Sequence, residues 1–248
     1  MKLDIHYLQR SAPLSFDSNL FKIEISLELD FVGGMKTTQK EQLEKKYFKF
    51  SKYWDSSAEA ILKPAVFIAE VPFSEIDPKF QDILTAQEGF DFFESSNNRI
   101  LYTVWTLGRV VEDTVADFFS LGSPMQAIFL DIAGSKMLLR IHKVLQQWIA
   151  KNIANPVGWN IVKEIYPGNN FFGVIDLKAF LEKTEAPESL KPVAEGSMLT
   201  PCKSMYALFV LGEGPQHIVT SLERCPNCLG SSCLYRQLGG CHLPLIDE

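Results

Sequence analysis

Two stretches near the start of the chain alternate between apolar and polar residues. In KLDIHYLQ, Leu3, Ile5 and Tyr7 alternate with Lys2, Asp4 and His6. In FKIEISLELDF, Phe21, Ile23, Ile25, Leu27, Leu29 and Phe31 fall on one side, and Lys22, Glu24, Ser26, Glu28 and Asp30 on the other. Successive strand side chains point to opposite faces, so a period of two predicts two strands of a sheet with one buried and one wet face. Gly33-Gly34 ends the second strand.

The period then changes. Leu43, Tyr47, Phe50 and Trp54 are spaced as on one face of an amphipathic helix. The other face carries Lys40, Lys45, Lys46, Lys49 and Lys52, read as a solvated face, with docking of an acidic partner as the functional alternative. AVFIAEV (65–71) and ILYTVWTL (100–107) are short apolar runs and predict buried strands. Ser123-Pro124 offers an N-cap followed by proline at the first helical position, so a long helix is predicted from there to the stop at Asn155-Pro156. Leu130, Met137, Ile141, Leu145 and Trp148 form its inner stripe, and Gly134-Ser135 interrupts that stripe to leave room for a neighbouring backbone. A short helix over 177–184, capped by Asp176, a loop over 185–201 and a buried strand SMYALFVLG (204–212) complete the pattern. Strands and helices do not alternate regularly, so the fold class is α+β rather than a doubly wound sheet.

A length of 248 residues suffices for one large domain or two small ones. A net charge of −6 argues against non-specific nucleic-acid binding, which needs a basic surface. No signal-peptide pattern opens the sequence, and no apolar run approaches the roughly 20 residues that cross a bilayer. The expectation is a cytoplasmic protein with no membrane or nucleic-acid partner. There thiols stay reduced, and clustered cysteines point to metal or redox chemistry.

Four of the five cysteines, Cys225, Cys228, Cys233 and Cys241, follow the spacing C-x2-C-x4-C-x7-C. Thiolates two apart grip one centre from a tight turn, and Gly230, Ser231, Ser232, Gly239 and Gly240 let the backbone wrap round it. Zinc asks for four ligands in a tetrahedron, usually as two paired knuckles. A four-iron four-sulfur cluster asks for one thiolate per iron and takes uneven spacings. With a single C-x2-C pair present, the iron–sulfur cluster is expected ahead of zinc. Free or disulfide-bonded thiols are the bland alternative. His242 is an alternative ligand to Cys241, and Cys202, standing alone, reads as a buried small apolar side chain. His142 reads as a half-exposed helical residue. For Asp131 a structural hydrogen bond explains the residue as well as a functional role does.

Several stretches together resemble a known family. TVWTLGRVVED (103–113) is similar to the T-L-G-x-x-V-E element of cobalamin-dependent methionine synthase activation domains in their free-standing form. AIFLDIAGSKMLLRIHKVLQQWI (127–149) resembles their L-D-x-x-G-S helix, IYPGN (165–169) their proline-glycine loop, and SMLTPCKSMYALFVLG (197–212) their S-x-M-x-x-P-x-K-S segment. CPNCLGSSCLYR resembles the C-x2-C-x4-C-x2-R tail of many free-standing members.

The resemblance implies a twisted antiparallel sheet with flanking helices over 36–224, followed by a cysteine-rich tail (225–248); the strand pair read from the alternation (1–35) lies outside the match. It implies service to corrinoid chemistry: the domain sits over cobalamin while an electron returns inactive cob(II)alamin to cob(I)alamin, and S-adenosylmethionine then methylates the cobalt. The implied partners are a corrinoid protein or cobalamin-dependent methyltransferase and an electron-donor protein. The implied ligand residues are Tyr166, Gly168, Lys203 and Ser204, with Arg236 beside the cluster. One position departs from the family. Aligning its R-x-x-x-G-Y loop on Gly168 puts Glu164 at the arginine and Asn169 at the tyrosine. A glutamate repels the ligand carboxylate that arginine would pair, so S-adenosylmethionine is not expected to bind in the family manner, unless Lys163 turns inwards. Glu164 itself reads as an exposed helix-end carboxylate rather than a catalytic acid. The alternatives are a non-catalytic corrinoid-protein-binding module with structural zinc or cluster, and an S-adenosylmethionine-dependent reactivase with a remodelled loop.

Overall fold

Three apolar runs of the sequence lie side by side at the centre of one sheet. The computed structural model describes residues 2–7, 10–15, 37–76, 78, 98–165, 177–192 and 198–215. The strands are β1 (Lys2–Tyr7), β2 (Arg10–Ser15), β3 (Ala65–Pro72), β4 (Arg99–Thr106), β5 (Asn160–Ile165), β6 (Lys191–Pro192), β7 (Leu199–Thr200) and β8 (Ser204–Gly212). The helices are α1 (Thr37–Ile61), α2 (Val110–Ser120), α3 (Pro124–Ile149) and α4 (Leu177–Lys183). The main sheet has the order β2-β1-β3-β4-β8-β5, and β6 and β7 form a separate pair. The class is therefore α+β, with β3, β4, β8 and β5 antiparallel throughout.

The pairing of β1 with β3 departs from an antiparallel sheet. It runs parallel, from Asp4 opposite Ala65 to Tyr7 opposite Ile68. A parallel neighbour requires a long crossover, and α1 lies in the connecting sequence. The Tyr7 hydroxyl donates to the Glu70 carboxylate across this pairing. β2 is a strand that the alternation did not announce. The predicted strand over 21–31, with Gly33-Gly34, lies outside the described residues, as does Asp176.

β4 is buried from Ile100 to Thr106 because both faces of the sheet are covered. On one face Leu101, Trp105, Ala207, Phe209 and Leu211 pack with α1, α2 and α3. On the other, Ile100, Tyr102, Val104, Leu208 and Val210 pack with Leu177, Phe180 and Leu181 of α4. A strand buried on both sides has no polar face, which is why these runs read as continuous rather than alternating.

The predicted stripe of α3 is its inner face: Leu130, Met137, Ile141 and Leu145 are fully buried, and Trp148 packs partly buried against the same core. Past Ile149 the chain continues through a π turn (Ala150–Ala154) and a 3-10 turn (Asn155–Val157). In α1, Phe50 and Trp54 are buried while Lys45, Lys49 and Lys52 are exposed, the Lys52 ammonium lying 4.7 Å from the Phe48 ring centroid. No helix among the described residues is long and apolar enough to cross a membrane. Among the described strands β2 and β5 are outermost. Pro13 sits in β2 opposite Asp4, and the register of β5 shifts between Ile161 and Lys163.

Candidate functional site

Four stretches far apart in sequence meet around Lys203. The end of β4 and the start of β8 are antiparallel neighbours, with Thr106 opposite Ser204. The Ser204 hydroxyl lies 2.8 Å from Thr106 Oγ1, which also accepts from the Gly108 amide at 3.0 Å. The Leu107 amide donates to the Lys203 carbonyl at 2.9 Å. Gly108 has φ +81°, and an added Cβ there would stand 3.0 Å from Lys63 Cβ, so the turn out of β4 requires glycine.

This turn starts α2 so that Glu112 faces the Thr200–Ser204 segment. Its carboxylate accepts from the Cys202 amide at 3.2 Å and from the Cys202 thiol at 3.5 Å. Cys202 is exposed, which corrects the expectation of a buried apolar thiol. Partial burial, and secondly the Glu112 charge, push its thiol above the usual range, so little nucleophilic thiolate forms at neutral pH.

Helix α3 supplies the third side. Lys203 Nζ lies 2.7 Å from Asp131 Oδ1 and donates to Ser135 Oγ at 2.9 Å. The Lys203 side chain is 11% exposed and that of Asp131 45%, so the ammonium is held inside while the carboxylate keeps much of its water. A Cβ on Gly134 would sit 3.4 Å from Cγ, Cδ and Cε of Lys203. Gly134 therefore admits a lysine stem across the helix, where a neighbouring backbone had been expected. The Asp131 contact is the structural one that its chemistry allowed.

A second polar cluster lies within the apolar layer between α3 and the sheet. His142 is 5% exposed, not half-exposed, and its ring stacks with Trp105 and Phe209 at centroid distances of 5.6 Å and 6.0 Å. Its Nε2 is 3.0 Å from Glu164 Oε2. Gln146 donates to the other carboxylate oxygen. Glu164 stands in β5 opposite Phe209 and is 5% exposed, which corrects its reading as an exposed helix-end carboxylate. The bulge in β5 turns Glu164 to the helical face, while Lys163, opposite Val210, faces the other. Burial lowers the affinity of Lys163 for its proton.

Lys203 and Ser204 are thus placed together, at the meeting of α2, α3 and β8. Tyr166, Gly168 and Asn169 lie outside the described residues, as do Arg236, His242 and the four cysteines Cys225, Cys228, Cys233 and Cys241. Among the described residues no group of three or more His, Cys, Asp or Glu is placed to hold a metal ion. Sequence reasoning missed Glu112 as a partner of Cys202 and the pairing of His142 with Glu164. No protein-family model matches the chain, and no curated protein does.

Proposed function

We propose that this chain is an accessory protein of corrinoid-dependent methyl transfer, one that binds cobalamin or a corrinoid protein and assists its reductive reactivation. The observation that carries the reading is the meeting at Lys203. The T-L-G-x-x-V-E, L-D-x-x-G-S and P-x-K-S stretches were matched on sequence alone, yet each meets the Cys202–Ser204 segment: Glu112 at Cys202, Asp131, Gly134 and Ser135 at Lys203, and Thr106 at Ser204. Unrelated chance matches have no reason to share one joint.

The tail suits the electron-transfer part of this reading. Cys225, Cys228, Cys233 and Cys241 are four soft donors, one for each iron of a four-iron four-sulfur centre, and such a centre supplies one-electron transfer when bound. One electron is what separates cob(II)alamin from cob(I)alamin. Glu164, aligned with the family's ligand arginine, is turned into the core against His142 and Gln146. That supports a reading in which S-adenosylmethionine is not held through this position.

Two measurements on anaerobically purified full-length chain test the proposal. Iron and acid-labile sulfide analysis is expected to give about four of each per chain, with a visible band that bleaches on reduction. Titration with cob(II)alamin, followed by absorbance, is expected to show saturable spectral change. Colourless protein with stoichiometric zinc sinks the electron-transfer role, and absence of any corrinoid response, free or protein-bound, sinks the reading as a whole.

A further inference from the structure

We draw no further inference here: the strongest candidate, the surface at the turn between α2 and α3 where Phe119, Leu121 and Ile128 are exposed, carries nothing because nothing in the structure shows what covers it.

Discussion

Lys203 can hold α3 to the start of β8 through its charge or through its aliphatic stem, and two substitutions separate these roles. Lys203→Met keeps a chain of similar length across Gly134 and removes the ammonium. The ion pair with Asp131 is lost, but the Asp131 side chain is 45% exposed and water can replace the contact, so this loss is about 0.5–1 kcal/mol. The hydrogen bond to Ser135 Oγ is worth about 1 kcal/mol, and that hydroxyl keeps its bond to the Asp131 carbonyl at 3.1 Å. Relief from burying the ammonium, whose side chain is only 11% exposed, offsets part of both. The expected net cost is about 1 kcal/mol. Lys203→Ala also removes the three methylenes packed on Gly134, at about 0.8 kcal/mol each, and should cost about 3 kcal/mol. Urea midpoints of the two variants, followed by tryptophan fluorescence, give the comparison. Equal losses for Met and Ala would refute the reasoning, because the charge would then be carrying the joint and the stem nothing.

The glycine beneath that stem yields an opposed pair of outcomes. Gly134→Ala places a Cβ at ordinary contact distance and gains about 1 kcal/mol of helix propensity, so its melting temperature should hold or rise. Gly134→Leu has to lift the lysine and should lose about 1–3 kcal/mol by the same melt. At Cys202, burial and Glu112 raise the thiol's proton affinity, so alkylation at neutral pH should run slower than for a free cysteine peptide and quicken in Glu112→Gln. Peptide mass spectrometry reads both rates, and a Cys202 as reactive as the free peptide contradicts the contact.

Much of the frame was legible because burial leaves a direct trace in apolar spacing. The centre of the sheet, the inner stripe of α3 and the limits of β8 follow from runs that have no wet side. Helix α2 has a weaker trace: Val111, Val115 and Phe118 repeat at helical spacing, but Val110 and Phe119 are exposed and blur the stripe. The polar contacts were less legible for a physical reason. His142 and Glu164 look like surface residues one at a time, and pairing across 22 positions offsets part of the cost of burying them. Strand β5 hid the same way, since its bulge breaks the alternation that would have announced it. Cys202 differs in the opposite direction: it is exposed, and it meets a glutamate 90 residues earlier that local spacing could not announce.

The two strands that are outermost among the described residues, β2 and β5, bear on whether one copy of the chain can add itself to another. An open sheet edge offers unpaired amides to any extended segment, and continued pairing of that kind ends in fibrous aggregation. Pro13 lacks the amide that such an addition would need at its position in β2. At the opposite margin, the bulge in β5 breaks the regular spacing of donors and acceptors. The irregularity that turns Glu164 inwards towards His142 therefore also discourages strand-to-strand stacking of copies.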